Sequence, residues 1–189
     1  MIAMALGICL LTGCGNPMDK MKETTVYVKK DGTVESVFVE TFDKKYYDEN
    51  ELKTWIEKEI QEEQKERGED SVQLKSFEVK EKKATLFLNY QSVEDYEQFT
   101  ETELEAGDTT SASLLKKQKM VEANTKSEKA VTIGEEELDS LSYVKINDVE
   151  DTQILVDGTI RYYSKGMEFV DNNIVKVPAG MKGIILYEQ

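Results

Sequence analysis

Alternation of apolar and polar residues around short turn signals limits this chain most, because it predicts antiparallel strands joined by hairpins. The segments TTVYVKK and TVESVFVETF flank Asp31-Gly32, a pair that favours a two-residue hairpin turn. The segment SVQLKSFEVKEKKATLFLNY predicts a second hairpin, in which residues 80–83 form a charged turn. Both hairpins lie in the first part of the chain, residues 24–105.

Helical patterns follow each of these hairpins. Asp48 is a suitable N-cap for a helix that ends at Gly68, and Ser92 caps a second, shorter helix. The first helix carries an apolar stripe that predicts a face buried on the sheet, made of Leu52, Trp55, Ile56 and Ile60. We expect Trp55, the only tryptophan, to lie in the core rather than to serve as a sugar-stacking platform. Residues 24–105 therefore predict a ββαββα unit, an antiparallel sheet with helices on one face.

The run LKSFEVKEKKATLFLNY joins an extended segment, a charged turn and an apolar strand, and it follows a helix. In this arrangement residues 24–99 resemble the GerMN type of small extracytoplasmic domain, which occurs in lipoproteins of Gram-positive bacteria. The resemblance implies an α+β domain that works outside the cytoplasm. It implies no catalytic residue.

The rest of the chain predicts more strands and few helices. Residues 106–129 predict a linker or a long excursion, with one short helix around residues 114–120. Residues 130–189 are β-rich: Asp157-Gly158 predicts another hairpin turn, and the final GIILYE predicts a strand that ties the terminus into a sheet. KAVTI is a further strand candidate and GEEELDSLS a short helix or turn. The predicted fold class is α+β, with antiparallel sheets, as one body or two small lobes.

The chain begins with an apolar run, Met1 to Gly13, that contains no charged residue. The run is shorter than the roughly 20 residues that span a bilayer, and its length is typical of the core of a signal peptide. The stretch Leu11-Thr12-Gly13-Cys14 resembles the bacterial lipobox. This resemblance implies that a signal peptidase cuts before Cys14 and that a diacylglycerol is attached to the Cys14 thiol.

The lipobox divides the chain into a signal peptide over residues 1–13 and a flexible tether over residues 14–23, and it implies an anchor on the extracytoplasmic face of the cell membrane. The whole chain is similar to many lipoproteins of Gram-positive bacteria for which no activity can be carried over. No Lys or Arg precedes Lys20, so either the true start lies upstream or the chain is truncated. The alternative is a buried N-terminal apolar helix that contains a cysteine by chance.

Composition excludes several classes of function. The chain has 38 acidic and 24 basic residues, a net charge of −14, and no histidine. Without histidine there is no Ser-His-Asp triad and no histidine-ligated metal site. Removal of Cys9 and lipidation of Cys14 would leave no free thiol. The acidic surface disfavours nucleic acid as a partner, and no nucleotide-binding or calcium-loop motif is present. We therefore expect no catalytic residue, no metal site and no cofactor.

A non-catalytic binding or assembly module, with a protein or cell-wall partner, is the function that these features favour. Its candidate contact surface is the basic spot in residues 106–129, which comprises Lys116, Lys117 and Lys119. The same lysines could form a solvated helix face. Of Tyr162 and Tyr163, strand alternation leaves at most one free for contact.

A carboxylate-based hydrolase acting on cell-wall glycan or peptide is the alternative, and a ligand-binding subunit of a transporter is a third hypothesis. The densest acidic cluster consists of Glu135, Glu136, Glu137 and Asp139. These acids equally suit the N-terminus of a helix, where they complement the helix dipole. A cleft that holds one carboxyl with a raised pKa would favour the hydrolase.

Overall fold

The computed structural model of the protein describes residues 16–108, 113–115, 118–125, 129–147 and 149–189. These residues form a short 3₁₀ helix, three α-helices and twelve strands in two sheets, which confirms the predicted α+β fold. The helices are the 3₁₀ helix Pro17–Lys20, α1 (Glu49–Arg67), α2 (Val93–Thr100) and α3 (Glu135–Leu138). The strands are β1 (Thr25–Val28), β2 (Val34–Thr41), β3 (Val72–Lys80), β4 (Lys83–Tyr90), β5 (Glu103–Gly107), β6 (Met120–Glu122), β7 (Ser142–Asn147), β8 (Thr152–Val156), β9 (Thr159–Ser164), β10 (Glu168–Asp171), β11 (Ile174–Val177) and β12 (Gly183–Glu188).

The larger sheet has seven strands in the order β10-β11-β8-β1-β2-β4-β3. Its neighbouring strands are antiparallel except for β1 and β8, which run parallel with Val26 opposite Ile154. The parallel pair joins strands from residues 24–105 to strands from residues 130–189 in one sheet. Whether the two segments fold as separate units stays a prediction, but the backbone hydrogen bonds between β1 and β8 join them in one sheet.

The two predicted N-terminal hairpins are both present, with different turns. In the first, Lys29 N donates to Thr33 O at 3.0 Å and Gly32 N to Lys29 O at 3.1 Å, so the loop has three residues, not the predicted two. Gly32 takes the left-handed conformation that closes such a loop. In the second hairpin, Glu81 and Lys82 have φ of 51° and 63°, as a two-residue turn requires. The charged turn over residues 80–83 is thus confirmed.

The predicted Asp157-Gly158 hairpin is wrong. Strand β8 lies in the seven-stranded sheet, whereas β9 lies in the smaller sheet, so this pair connects the two sheets. A Cβ added to Gly158 would lie 2.1 Å from the carbonyl oxygen of Glu188, so glycine is needed for close approach and not for a hairpin. The Asp157 carboxylate accepts hydrogen bonds from the Tyr27 hydroxyl and from Lys30 N, which ties the connection to the first hairpin.

Helix α1 begins and ends as the sequence predicts, and α2 begins after its predicted cap, Ser92. The Asp48 side chain accepts from the amides of Asn50 and Glu51, and Gly68 ends α1 with φ of 111°. Trp55 contradicts the prediction that it lies in the core, because the residue is 58% exposed. Residues 52, 56 and 60 follow one another at intervals of four and face the sheet, with Ile56 and Ile60 buried. Trp55 stands about 100° around the helix from Ile56, at the edge of this stripe.

The two faces of the seven-stranded sheet are covered by different elements. One face, here the inner face, carries Val26, Leu88 and Ile154, which belong to a buried cluster that also includes the helices and residues of the smaller sheet. The opposite face, here the outer face, carries Val37, Phe87 and Leu155, and Met18 of the 3₁₀ helix packs on them. Because successive side chains along β2, β4 and β8 point to opposite faces, the helices pack on the inner face and the segment that contains the 3₁₀ helix packs on the outer face.

The smaller sheet has five strands in the order β5-β7-β12-β9-β6. The final strand β12 lies at its centre, which confirms that the terminus is tied into a sheet. Tyr162 and Tyr163 project from opposite faces, as predicted, but both are buried, because each face of this sheet is covered by a hydrophobic cluster. Neither tyrosine is therefore free for contact, which corrects the prediction that one could be.

Described residues of the excursion, residues 106–129, help to cover one face of the smaller sheet. Leu114 and Leu115 pack against a buried cluster that includes Leu138 and Leu186. The short helix predicted around residues 114–120 is not seen in the described part of that stretch, where 113–115 form a turn and Met120 begins β6. KAVTI forms a single bridge between Val131 and Met120 instead of a strand. For GEEELDSLS, where the sequence predicts a short helix or turn, the structure has the helix, α3.

Candidate functional site

Several predicted site residues lie outside the described residues. These are the lipobox residues Leu11, Thr12, Gly13 and Cys14, together with Lys116 and Lys117 of the basic spot. Lys119 is described and exposed, and its carbonyl oxygen accepts a hydrogen bond from Lys165 N at 2.6 Å. The described structure therefore places one of the three lysines at the surface and leaves the basic spot itself a prediction.

The acidic cluster Glu135, Glu136, Glu137 and Asp139 occupies α3 and its C-cap. Glu137 Oε1 accepts a hydrogen bond of 2.6 Å from the Tyr162 hydroxyl, and burial and this bond raise the pKa of Tyr162 to about 12. The other members of the cluster, Glu135, Glu136 and Asp139, are exposed to solvent. Glu137 thus anchors α3 to the sheet, which is a structural role.

A groove between α1 and α2 brings together side chains that the sequence analysis did not combine. Its volume is about 280 Å³, and we call it the acidic groove. One long wall is α1, the floor includes Leu86 of β4 and Phe99 of α2, and Glu101 follows at the end of α2. The residues that α1 contributes are Trp55, Ile56, Glu59, Glu62, Glu63 and Glu66.

Helical spacing explains why these residues share a wall. Positions 55, 59, 62, 63 and 66 are separated by steps of three and four residues, which place side chains on one face of a helix. The signal was present in the sequence as a second, polar stripe beside the apolar one. The sequence analysis places Trp55 in the apolar stripe and therefore does not combine it with the glutamates of the same helix.

Trp55 and the glutamates give the acidic groove a defined chemistry. The exposed indole offers a flat π face, which attracts a cation, and the carboxylates add negative charge along the same wall. The floor is apolar, so the methylene stems of a long cationic side chain could pack on it. Such a surface suits Lys or Arg side chains better than anions or purely apolar groups.

Glu63 is a largely enclosed carboxylate of the groove, with a side chain 16% exposed. Burial raises the pKa of Glu63 above its ordinary value, with smaller contributions in the same direction from Glu66 and Asp95. The Arg67 guanidinium opposes this shift, and its Nε lies 3.4 Å from Glu63 Oε1. That oxygen is shielded from solvent and has no hydrogen-bond partner among the described residues.

Arg67 holds the helices together at one end of the groove. Its Nε donates to Asp95 Oδ1 at 2.9 Å and its Nη2 to Glu94 Oε1 at 3.2 Å. The Ser92 hydroxyl donates to the other oxygen of Asp95 at 2.6 Å. The last turn of α1 is thus joined to the first turn of α2, and the two walls are fixed relative to each other.

A second polar cluster lies on the outer face of the seven-stranded sheet. The buried Glu35 carboxylate accepts from Lys29 Nζ and from Asn16 Nδ2, each at 2.7 Å. Burial, and then the hydrogen bond to Asp157, raise the pKa of the neighbouring Tyr27 far above its ordinary value. The members of this cluster bond to one another, so it serves to hold the N-terminal segment on the sheet.

The described residues contain no group of three or more acidic, cysteine or histidine side chains placed to hold a metal ion. In the same part of the chain, no helix combines the length and apolar character that crossing a bilayer requires. No protein-family model, curated protein or solved structure matches this chain. The geometry of the acidic groove and the sequence motif at Cys14 therefore carry the functional argument.

Proposed function

We propose that this protein is a lipid-anchored extracytoplasmic binding module without catalytic activity. In this proposal Cys14 carries the lipid and the acidic groove binds a cationic segment of a protein partner. The module uses no cofactor and no metal, and nucleic acid is not its ligand, because phosphates would meet the carboxylates of the groove and the net charge of −14.

Exposure of Trp55 beside the carboxylates of α1 is the observation that carries the proposal. An exposed tryptophan leaves a large apolar ring in contact with water, and tryptophan is enriched where proteins bind partners. Cation–π contact with such a ring contributes about 0.5–1 kcal/mol at an exposed site, and each nearby exposed ion pair contributes up to about 1 kcal/mol. A partner with several Lys or Arg residues would collect several such contributions.

The anchor in this proposal is supported by the order of features at the start of the chain. An apolar run, two small residues and Cys14 follow one another, and a polar sequence begins immediately afterwards. Anchoring of this kind requires at least two lipid chains or a second membrane contact, since one acyl chain binds only marginally. A diacylglycerol thioether meets that requirement.

The carboxylate-based hydrolase is the second candidate, and Glu63 favours it. A raised pKa in a groove is the property expected of a general acid, and Glu63 replaces the α3 cluster in that role. A neighbouring glutamate of α1 would supply the second carboxylate that glycoside hydrolysis needs. Wall degradation that is lost in Glu63→Gln and kept in Glu135→Gln would establish this function in place of binding alone.

The binding proposal predicts a charge-dependent interaction that Trp55 itself reports. We expect a short oligoarginine peptide to change Trp55 fluorescence with saturation, and the affinity to fall as salt concentration rises. The triple variant Glu59→Gln/Glu62→Gln/Glu66→Gln should bind roughly tenfold more weakly, because three ion pairs of about 0.5 kcal/mol each total about 1.5 kcal/mol.

The matched control for this titration is Glu135→Gln/Glu136→Gln/Asp139→Asn, which removes the same amount of charge from α3 and its C-cap. It should bind the peptide as the native protein does. Equal weakening in both triple variants would mean that net charge attracts the peptide without a site, and it would overturn the role of the groove.

A further inference from the structure

The N-terminal segment is fixed to the fold at its first described residue. Asn16 Nδ2 donates to Glu35 Oε2 at 2.7 Å, and Asn16 Oδ1 accepts from Met18 N at 2.9 Å and so caps the 3₁₀ helix. Met18 is 1% exposed and packs on Val37 and Phe87 of the outer face. From Asn16 onward, this segment is therefore not the flexible tether that the sequence predicts over residues 14–23.

The attachment is stabilised by charge as well as by packing. Glu35 lies on the outer face, where Lys29 and Asn16 each bond to one of its carboxylate oxygens. Removing a partner from a buried carboxylate is costly, so this arrangement favours the docked segment. The segment also continues directly into β1, which pairs on both sides within the seven-stranded sheet.

Cys14 precedes Asn16 by two residues, so their Cα atoms are at most about 7 Å apart. A lipid on Cys14 would therefore leave almost no spacer between the bilayer and the outer face. The acidic groove lies on the other side of the same sheet, within the helix layer. A helix layer packed on a sheet adds on the order of 10 Å to that separation.

We infer that the protein is held directly against the membrane, with the outer face of its seven-stranded sheet toward the lipid headgroups and the acidic groove facing away. This inference rests on the lipid anchor of the proposed function. It adds that the module has a fixed orientation, so the groove is open to a partner that approaches from outside the membrane.

Charge distribution favours the same orientation. Residues 16–30 contain two acidic and four basic residues, whereas α1 contains seven glutamates and four basic residues. An anionic bilayer would attract the first segment and repel α1. The carboxylates of the groove are thus kept at the side where lipid headgroups do not compete for their cationic partner.

The test uses the chain from Cys14 onward, which includes every described residue and has Cys14 as its only thiol. The Cys14 thiol is coupled to a maleimide lipid in vesicles that also contain dansyl-labelled headgroups. Energy transfer is then measured from the single tryptophan, either in the native protein or in the variant Trp55→Phe/Lys20→Trp. Lys20 is exposed in the 3₁₀ helix, so this substitution leaves the buried contacts in place.

We expect transfer efficiency to be at least about twofold higher in the variant, because its tryptophan lies on the membrane side of the sheet. Insertion of a flexible Gly-Ser segment of about 12 residues between Gly15 and Asn16, which spans about 20 Å, should remove the difference. Equal transfer without the insertion would overturn the fixed orientation.

Because the lipid is attached chemically, this result does not depend on lipidation in the cell. The mass of the N-terminal peptide isolated from cells tests that point separately. An unmodified Cys14 there would overturn the anchor of the proposed function, whatever the vesicle experiment shows.

Discussion

Trp55 and Glu63 lie eight residues apart on one wall of the acidic groove, and the exposure of each is the opposite of what its side-chain polarity favours. The apolar Trp55 is left mostly in water, and the carboxyl of Glu63 is mostly removed from it. Each arrangement costs stability in the free protein. Residues kept at such a cost are candidates for binding, and these two define the groove.

Glu63 makes a pH-dependent contribution to stability whose sign follows from its raised pKa. The folded protein holds the Glu63 proton more tightly than the unfolded chain does, so Glu63 does not lower the free energy of unfolding below the ordinary pKa of a glutamate. As pH rises through the folded pKa, ionisation of the enclosed carboxyl lowers the free energy of unfolding, and this loss is complete above the folded pKa. We therefore expect Glu63→Gln to raise the melting temperature at neutral pH, and to raise it less at about pH 4.

Thermal unfolding followed by circular dichroism at several pH values measures this effect. Glu57→Gln is the matched control, since it removes a half-exposed carboxylate from the same helix that water solvates in both states. A stabilisation by Glu63→Gln that grows as pH falls would contradict the raised pKa.

Local signals predicted the capping residues of α1 and α2 and the turn after β3 correctly, because each depends on a few adjacent residues. Asp48, Gly68 and Ser92 act at the predicted positions, and the charged turn after β3 is found where expected. Asp157-Gly158 shows the limit of such reasoning. The same dipeptide that closes one hairpin joins two sheets here, because β8 pairs with the distant strands β1 and β11.

The turn between β3 and β4 gives a prediction at the scale of an element. Glu81 and Lys82 both adopt left-handed backbone angles, which cost roughly 1–2 kcal/mol each for ordinary residues. The replacement Glu81→Asn/Lys82→Gly should stabilise the protein by about 0.5–1 kcal/mol, after the greater freedom of glycine in the unfolded chain is deducted. Urea unfolding measures the change.

The control for the turn is Lys30→Gly in the first hairpin loop, where φ is not positive. Glycine there should lower the free energy of unfolding, because it adds freedom to the unfolded chain and relieves no strain. A gain in stability from Lys30→Gly that equals the gain in the second turn would show that backbone strain is not its cause.

Across the whole molecule, the parallel pairing of β1 with β8 links the two β-rich parts of the chain and places their strands in one sheet. This pairing joins residues separated by more than one hundred positions, and no local sequence pattern predicts it. The helix-spaced glutamates of α1 could have been read from the sequence as a stripe. That α2 and β4 complete a groove around them could not, since it depends on tertiary packing.

The whole molecule thus has two functional sides in our account: an outer sheet face close to the lipid on Cys14, and an acidic groove on the opposite side. In this arrangement the net negative charge does not hinder membrane attachment, because α1 with its seven glutamates is turned away. The groove is then the surface that a protein in the extracytoplasmic space would meet.

Site-specific photocrosslinking in intact cells tests the central claim most directly. A crosslinking side chain replaces Gln98, which is exposed and lines the groove, or Asp139, which is exposed at the C-cap of α3. We predict that position 98 captures a defined partner through a Lys- or Arg-rich peptide, that position 139 does not, and that Glu59→Gln/Glu62→Gln/Glu66→Gln reduces the capture. Equal capture at both positions, or a captured peptide without basic residues, would contradict the account.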